Sequence, residues 1–308
     1  MAETARIAYI FPGQGAQSVG MGQDLYDGFE SSRAVFKQAD EALGFSLSQL
    51  CFEGPEEELR QTVNSQPAIV TVSLALLSAA RENGALPLPS FVAGHSLGEY
   101  TALAAAGVLD FSDAVRLTRE RGRLMHQAGQ QNPGAMAAII GLEEALLEEI
   151  CWQTGASIAN FNCPGQLVIS GHSDAVSKAS EEALAKGASR TVPLQVSGAF
   201  HTQLMQPAAE GLKDFIAGII FKEPSIPIIA NTTAAELTTA DAIKQELLSQ
   251  LCNGVQWQRS VEYMIDKGVT TFYEIGPGRV LSGLIRRINR DVKTININSA
   301  EAVNNLGG

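Results

Sequence analysis

Short apolar runs alternate with amphipathic stretches along the chain, and this alternation predicts its secondary structure. Runs rich in β-branched residues predict strands, and apolar positions that recur every three or four residues predict helices. Outside the central segment, strands are predicted over residues 6–11, 90–94, 226–230, 271–275 and 294–297. Helices are predicted over residues 66–80, 97–106 and 112–128, and another has an apolar face between residues 204 and 219. Strands that alternate with helices favour an α/β fold with a mostly parallel sheet.

The central segment, residues 134–194, follows a different order of elements. Its pattern predicts strands over residues 136–140, 157–162, 167–170 and 190–194, and helices over residues 143–154 and 174–186. The resulting order, β-α-β-β-α-β, is typical of a ferredoxin-like unit. We therefore predict a large α/β-hydrolase-like domain of residues 1–130 and 196–308, interrupted by a small ferredoxin-like subdomain of residues 131–195. A cleft between the two would be a natural place for a ligand.

Composition narrows the classes of protein and of site. The chain has 308 residues, of which 45% are apolar and 18% charged, so it is long enough for about two folded domains. The net charge of −11 argues against nucleic acid and anionic membranes as partners. The four cysteines are far apart and predict neither a metal site nor a disulfide framework. We find no secretory signal and no membrane-spanning run of about 18 apolar residues, so we expect a cytoplasmic protein.

A Gly-x-Ser-x-Gly motif occurs at residues 94–98, between a predicted strand and a predicted helix. This context suits a nucleophilic serine, because small residues on each side permit a sharp turn that exposes the Ser96 hydroxyl. The main-chain N–H of Leu97 would then point from a helix N-terminus towards the oxyanion of an attacked carbonyl group. The alternative is an ordinary glycine turn with a serine that caps the helix.

A nucleophilic serine needs a base, and the chain has four histidines, at positions 95, 126, 172 and 201. His201 is the best candidate because it lies, like Ser96, in a strand-to-helix connection. Such loops gather at the carboxyl ends of the strands in α/β sheets. No aspartate between Ser96 and His201 stands out as the acid of a catalytic triad. The group that orients His201 therefore comes from elsewhere in the chain, or is a main-chain carbonyl.

Two further features indicate where a substrate would bind. Arg121 completes the apolar face of the predicted helix at residues 112–128. A guanidinium that faces the interior needs an anion, either a protein carboxylate in a buried salt bridge or a carboxylate of the substrate. The glycine-rich loop at residues 12–17 lacks the lysine of a nucleotide-binding P-loop. Its main-chain donors, or the Gln14 amide, could approach a substrate in a neighbouring cleft.

Five motifs occur together along the chain: Phe-Pro-Gly-Gln-Gly-Ala-Gln at residues 11–17, Gly-His-Ser-Leu-Gly-Glu-Tyr at 94–100, Arg121, Gly-Ala-Phe-His at 198–201 and Gly-Pro-Gly at 276–278. This set resembles the malonyl-CoA:acyl carrier protein transacylases of fatty acid synthesis, over about residues 6–298. The resemblance implies a ping-pong transfer. Ser96 would take a malonyl group from malonyl-CoA and pass it to the pantetheine thiol of acyl carrier protein, with His201 as base and then acid. No cofactor or metal is implied, because the coenzyme A thioester is a substrate.

The resemblance also implies roles for other residues. The main-chain N–H groups of Gln14 and Leu97 would form the oxyanion hole, and Arg121 would bind the malonyl carboxylate. A main-chain carbonyl near Gln256 would hold the other ring nitrogen of His201. Phe200 would narrow the pocket and so exclude methylmalonyl groups. Gln66 and Asn162 would also lie near the cleft.

Acyl carrier proteins are acidic, so a docking surface on this acidic chain has to be a local basic patch. A cluster near the C-terminus consists of Arg286, Arg287, Arg290 and Lys293, and Lys267 and Arg190 are further candidates. The alternative for each of these residues is a solvated surface position without a partner.

Other functions remain open from the sequence. A serine esterase or thioesterase of the α/β-hydrolase type would share the nucleophile turn, but it would need a triad acid and offers no role for Arg121. A trans-acting acyltransferase of polyketide synthesis would show the same features. A non-enzymatic subunit that binds acyl carrier protein is disfavoured, because both Ser96 and His201 are present.

Overall fold

The computed structural model describes residues 6–306 and contains two β-sheets. The strands are β1 (Arg6–Phe11), β2 (Phe91–Gly94), β3 (Ala135–Ile140), β4 (Ser157–Cys163), β5 (Gln166–Gly171), β6 (Arg190–Pro193), β7 (Ile228–Ile229), β8 (Glu236–Leu237), β9 (Val269–Ile275) and β10 (Lys293–Ile297). The larger sheet has the order β10-β9-β1-β2-β7-β8, and the smaller has the order β4-β5-β3-β6. The predicted α/β class and mostly parallel large sheet are therefore confirmed.

Helices surround both sheets. Within the described residues they are α1 (Gln23–Gly28), α2 (Glu30–Leu43), α3 (Leu47–Glu53), α4 (Glu56–Arg60), α5 (Thr62–Asn83), α6 (Gly98–Ala105), α7 (Phe111–Gln131), α8 (Glu144–Thr154), α9 (Ser173–Ala185), α10 (Gln206–Ala217), α11 (Ala240–Gln250), α12 (Trp257–Asp266), α13 (Val280–Ile288) and α14 (Ala300–Asn304). The three helices predicted before residue 130 are confirmed as α5, α6 and α7. The apolar pattern did not indicate α1–α4 or α11–α14.

The large sheet is buried on both faces, which explains its nearly continuous apolar strands. Tyr9 and Phe11 of β1 belong to the hydrophobic core on one face, and Ala8 and Ile10 belong to the core on the other. Strands β10, β9, β1, β2 and β7 are parallel, and β8 pairs antiparallel at the edge. Because the last residues of β1 and β2 are paired, the loops that follow these two strands meet at one edge of the sheet.

Helix α5 has 22 residues and contributes many of them to the main hydrophobic core. Within residues 6–306 it is the one helix that is long and apolar enough to cross a membrane. Its most apolar window is 83% buried inside the protein, and the helix packs against α2 and α7. Its apolar composition is therefore that of a core helix.

The small sheet forms a separate layer with its own core. Its four strands are antiparallel, and the order β3-α8-β4-β5-α9-β6 is the predicted one. Its core contains Ile139, Leu147 and Val176, which come from β3, α8 and α9. Main-chain hydrogen bonds of 2.9 Å join β4 to Val255, beside the large sheet. The edge strand β4 of the small sheet is thus tied to the segment that precedes α12.

The bounds of several predicted strands differ from the observed ones by one or two residues. The strand predicted at residues 226–230 is reduced to the two residues of β7, because only these pair with β2 and β8. The strand predicted at residues 190–194 ends at Pro193.

Candidate active site

Ser96 lies in a sharp turn between β2 and α6, as its motif predicts. Its φ of 50° is in the left-handed region, which is unfavourable for a residue with a side chain and is common at functional sites. The two glycines of the motif are required by close packing. A Cβ on Gly94 would lie 1.9 Å from the Gly98 carbonyl carbon, and a Cβ on Gly98 would lie 2.1 Å from the Phe11 oxygen. The reading of the motif as a plain capping turn is not supported, because Ser96 makes no side-chain cap of α6.

His201 contacts Ser96 directly. Its Nε2 lies 2.8 Å from Ser96 Oγ, and its Nδ1 lies 2.8 Å from the main-chain oxygen of Gln250. A carbonyl oxygen only accepts hydrogen bonds, so Nδ1 carries the proton and the lone pair of Nε2 faces the serine hydroxyl. Burial, together with the neighbouring Arg121 charge, lowers the pKa of His201 to about 3. The imidazole is therefore neutral at physiological pH and can accept the serine proton.

The group that orients His201 is the Gln250 carbonyl, so the prediction that it lies near Gln256 is wrong. Gln250 is the last residue of α11, and the final carbonyls of a helix have no partner inside the helix. Gln256 instead donates its main-chain N–H to the oxygen of Asn231, at 2.7 Å. The absence of a triad acid from the sequence is thus explained by a main-chain acceptor.

His201 lies against Ser96 as predicted, but the chain brings it there in a different way from the one that the sequence indicated. The strand before it, β6, belongs to the small antiparallel sheet and not to the large parallel one. His201 reaches Ser96 because the loop after β6 returns to the large sheet before α10. Its own φ of 60° is also in the left-handed region, so His201 and Ser96 both occupy strained backbone positions.

Arg121 faces the interior of the protein beside Ser96, and only 1% of it is exposed. Its Nη1 donates to Gln66 Oε1 at 2.8 Å, and its Nη2 donates to Gln250 Oε1 at 2.8 Å and to Ser96 Oγ at 3.2 Å. The guanidinium also lies over the ring of Tyr100, 5.2 Å from the ring centroid.

The partners of Arg121 decide between the two anions that the sequence left open. None of the salt bridges among residues 6–306 includes Arg121, and its buried Nε has no hydrogen-bond partner in the described chain. The alternative of a buried salt bridge to a protein carboxylate is therefore wrong. Its hydrogen-bond partners are neutral amides and a hydroxyl, and burial lowers its pKa, a shift that the nearby Tyr100 and Glu99 oppose. An incoming carboxylate would supply the missing anion.

Gln14 and Gln66 are connected to Arg121 by a line of hydrogen bonds. Gln66 Nε2 donates to Thr62 Oγ1, and Thr62 Oγ1 donates to Gln14 Oε1, both at 2.9 Å. Gln66 is fully buried, and its hydrogen bond with Nη1 orients the Arg121 guanidinium. Within the described residues, the main-chain N–H groups of Gln14 and Leu97 have no hydrogen-bond acceptor, so both remain available to an oxyanion.

A cavity of about 320 Å³ opens over Ser96. Its lining includes the polar side chains of Gln14, Arg121 and His201, and Leu97 and Phe200 also line it. A second cavity of about 300 Å³ shares Gln14 and His95 with the first and continues between α13 and the small sheet. Asn162 lines this second cavity, where its Oδ1 lies 2.8 Å from His95 Nε2. Among the described residues, no group of His, Cys, Asp and Glu is arranged to hold a metal ion.

Sequence reasoning missed Gln250, Asn231 and Glu99, which surround the nucleophile turn. Asn231 Oδ1 accepts from the Ser96 N–H at 2.7 Å, and Gln250 Nε2 donates to the Ser96 oxygen at 2.9 Å. No motif includes Asn231 or Gln250. A signal for Gln250 would have been its place at the end of a helix, where a free carbonyl can accept from an imidazole.

Comparison with known proteins gives one consistent family. Residues 8–306 match the model of the acyl transferase domain. The malonyl CoA-acyl carrier protein transacylases of Bacillus subtilis and Escherichia coli K12 are each 46% identical to this chain. The first alignment covers 97% of this chain and 95% of the relative, and the second covers 92% and 93%.

Solved structures agree with the sequence relatives. The malonyl CoA-acyl carrier protein transacylase from Coxiella burnetii superposes with a TM-score of 0.94, at 40% identity, over 97% of this chain and 96% of the other. A malonyl-transacylase solved in complex with its type II polyketide synthase acyl-carrier protein also superposes with a TM-score of 0.94. It is 41% identical, and the match covers 97% of this chain and 98% of the other.

Proposed function

The chain belongs to the acyl transferase family, and we propose that it moves a malonyl group from malonyl-CoA to the pantetheine thiol of acyl carrier protein through a malonyl ester of Ser96. The observation that carries this proposal is the buried Arg121, which lies 3.2 Å from Ser96 Oγ and forms no salt bridge within residues 6–306. A malonyl thioester has a free carboxylate a short distance from the carbonyl that is attacked. The site therefore offers a nucleophile for one end of this group and a cation for the other.

The first half-reaction forms the ester. Ser96 Oγ attacks the thioester carbonyl while His201 Nε2, at 2.8 Å, takes the hydroxyl proton. The negative charge on the carbonyl oxygen is met by the main-chain N–H groups of Gln14 and Leu97. The tetrahedral intermediate then breaks its carbon–sulfur bond, and His201 returns the proton to the sulfur of coenzyme A. The products are malonyl-Ser96 and free coenzyme A.

The second half-reaction reverses these steps with a different thiol. The pantetheine thiol of acyl carrier protein gives its proton to His201 Nε2 and attacks the malonyl ester. Collapse of the intermediate breaks the bond to Ser96 Oγ, which recovers its proton from His201. The Gln250 carbonyl holds Nδ1–H throughout, so the imidazole presents the same nitrogen in both halves.

Selection among acyl groups depends on the wall of the cavity. Arg121 favours an acyl group with a carboxylate, and its bonds to the amide oxygens of Gln66 and Gln250 can be exchanged for bonds to that carboxylate. Phe200 is 6% exposed and lines the same cavity. Its ring leaves little room for a methyl branch next to the thioester, so we propose malonyl over methylmalonyl.

The acyl carrier protein docks, we propose, on basic residues beyond the second cavity. Arg286, Arg290 and Lys293 line one surface depression at the end of α13, while residues at the start of α13 line the second cavity. Arg287 is engaged differently, because its Nη1 donates to Gln166 Oε1 of the small sheet at 2.6 Å. The structure therefore favours Arg286, Arg290 and Lys293 over Arg287 as the docking residues.

This docking surface can be tested by charge reversal. Combining Arg286→Glu with Arg290→Glu should raise KM for acyl carrier protein and leave KM for malonyl-CoA unchanged, because only the carrier contacts this surface. Lys178→Glu, on the exposed face of α9, is the matched control. An unchanged KM for the carrier in the double variant would reject the surface.

Several finer features are also proposals. The strand order β4-β5-β3-β6 supports a ferredoxin-like subdomain, and the strand-turn-helix at Ser96 supports an α/β-hydrolase-like large domain. The separate core of the small sheet supports the division into residues 131–195 and residues 1–130 with 196–308. A cytoplasmic location, the absence of a cofactor and a place in fatty acid rather than polyketide synthesis stay predictions.

The serine ester is tested by intact mass spectrometry of the protein after mixing with malonyl-CoA alone. We expect the mass of one malonyl group to be added, on the peptide that contains Ser96, and no addition to Ser96→Ala. Rapid release of free malonate without a stable adduct would favour the esterase alternative. An adduct on another residue would reject the mechanism.

A further inference from the structure

Glu99 is a buried carboxyl group that the transfer mechanism does not use. It lies in the first turn of α6, is fully buried and does not line the cavity over Ser96. Burial of an ionisable group is costly unless its hydrogen-bonding capacity is satisfied. The partners of Glu99 therefore indicate why the group is present.

Each oxygen of Glu99 accepts a hydrogen bond from a residue that holds Ser96. Oε1 accepts from the main-chain N–H of Asn231 at 3.0 Å, and Oε2 accepts from Gln250 Nε2 at 2.5 Å. Asn231 in turn binds the Ser96 N–H and, through Nδ2, the Gly94 oxygen at 2.8 Å. Gln250 binds the Ser96 oxygen. Both main-chain groups of Ser96 are thus fixed by the two residues that Glu99 holds.

This arrangement matters because the backbone of Ser96 is strained. A left-handed conformation is unfavourable for a non-glycine residue, and it persists only where several contacts with the surroundings hold it in place. Gln250 also supplies the carbonyl that orients His201 and an amide oxygen to Arg121. One carboxyl group therefore connects the supports of the nucleophile, the base and the substrate-binding cation.

We propose that Glu99 is a positioning residue for acyl transfer, whose two oxygens lock Asn231 and Gln250 so that they hold Ser96 in its reactive conformation. The proposal rests on the proposed function, because Ser96 is taken as the nucleophile. Burial and the nearby Glu246 raise the pKa of the Glu99 carboxyl, and the hydrogen bonds from Asn231 and Gln250 oppose that shift. Both oxygens of Glu99 act as acceptors in these hydrogen bonds.

The chemistry of the two donors makes Glu99→Gln a sharp test. A main-chain N–H such as that of Asn231 can only donate. The Gln250 amide cannot turn over, because its Nε2 faces the Ser96 carbonyl and its Oε1 faces Arg121. The new amide nitrogen at position 99 would therefore face a donor at either of its two positions, and one of the supports of Ser96 would be lost.

Glu246→Gln is the matched control. Glu246 is a second buried carboxyl of the same cluster, and it accepts from the main-chain N–H and the hydroxyl of Thr232. The hydroxyl can reverse and accept from an amide nitrogen, so this substitution keeps both hydrogen bonds. Glu246 contacts neither Ser96 nor Gln250 by a hydrogen bond within the described chain.

The experiment measures kcat and KM for malonyl transfer, the rate at which a fluorophosphonate probe labels Ser96, and the Tm of each variant. For Glu99→Gln we expect kcat and the labelling rate to fall together by about 10- to 100-fold, as for small misplacements of reacting groups. KM for malonyl-CoA should change by less than about threefold, because Arg121 remains. Glu246→Gln should keep both rates within about threefold of wild type.

The proposal is overturned if Glu99→Gln is labelled at the wild-type rate. It is also overturned if, at equal Tm, the labelling rate of Glu99→Gln falls no further than that of Glu246→Gln. Should Glu99→Gln not fold, Asn231→Ala removes one of the two supports directly, and an unchanged labelling rate in that variant also overturns the proposal. The probe needs only an activated serine. A wild-type protein that is labelled at Ser96 but transfers no malonyl group would therefore contradict the proposed function without deciding the role of Glu99.

Discussion

Replacement of Arg121 by alanine separates recognition of the malonyl carboxylate from the chemistry at Ser96. The guanidinium is buried and makes its hydrogen bonds to Gln66, Gln250 and the Ser96 hydroxyl. Malonyl-CoA can form two charge-assisted hydrogen bonds with it, each of which contributes about 1.5–3 kcal/mol. Because the bonds to the two glutamine amides are given up in exchange, we take the lower end, a total of about 3 kcal/mol.

This free energy corresponds to a loss of about 150-fold in kcat/KM for malonyl-CoA. Acetyl-CoA has no carboxylate, and its transfer should persist or rise because a buried charge without a salt bridge has been removed. The assay is acylation of Ser96 from each thioester in parallel, reported as the ratio of the two kcat/KM values. Arg116→Ala, an exposed arginine on the same helix that pairs with Asp113, is the control and should leave the ratio unchanged.

The reasoning is refuted if Arg121→Ala keeps malonyl transfer near the wild-type rate. It is also refuted if malonyl and acetyl transfer fall by the same factor, since that would assign Arg121 to the support of Ser96 and not to the substrate.

Three further predictions concern the base, the nucleophile turn and the pocket wall. The pKa of His201 is lowered to about 3, so the acylation rate should show no acidic limb near the ordinary histidine value of about 6.5. The part of the unfolding free energy that depends on neutral His201 should be present above about pH 6.5 and decline as the pH falls towards 3. An acidic limb near pH 6.5 in the acylation rate would contradict the low pKa of His201. Gly98→Ala should cost more than about 3 kcal/mol of unfolding free energy, because its Cβ would meet a β1 carbonyl at 2.1 Å. Gly283→Ala in α13, which meets nothing within 4 Å, should gain about 0.5–1 kcal/mol; equal effects in denaturant titrations would disprove the packing argument. Phe200→Ser should shift competition between methylmalonyl-CoA and malonyl-CoA towards the former by about tenfold, and an unchanged ratio would exclude Phe200 as the selecting wall.

The sequence predicted those parts of the site that depend on local constraints. Gly94 is required by a contact with Gly98 inside the same strand-turn-helix unit, and Gly98 is required by its packing against Phe11 of the neighbouring strand β1. Arg121 is recognisable as a charged residue on the apolar face of a predicted helix. This pattern extends over only a few helical turns. Such features are visible in a short window of sequence, because the neighbours that enforce them are close along the chain or belong to a regular element.

The supports of the site could not be predicted in the same way. Asn231 and Gln250 reach Ser96 from elements more than 130 residues away, and each is an ordinary polar residue without a motif. The carbonyl that orients His201 was placed near Gln256, six residues too late, because a main-chain acceptor has no side-chain signature. Its position depends on where α11 ends, and helix ends are the least certain part of a prediction from sequence.

The most direct test of the account isolates the malonylated protein and adds the pantetheine-bearing acyl carrier protein in a single turnover, without free malonyl-CoA. We predict that the malonyl group passes from Ser96 to the carrier thiol in stoichiometric amount, and that the protein regains its original mass. Release of the group as free malonate, or a requirement for coenzyme A and carrier to be present together, would contradict a ping-pong transfer through Ser96.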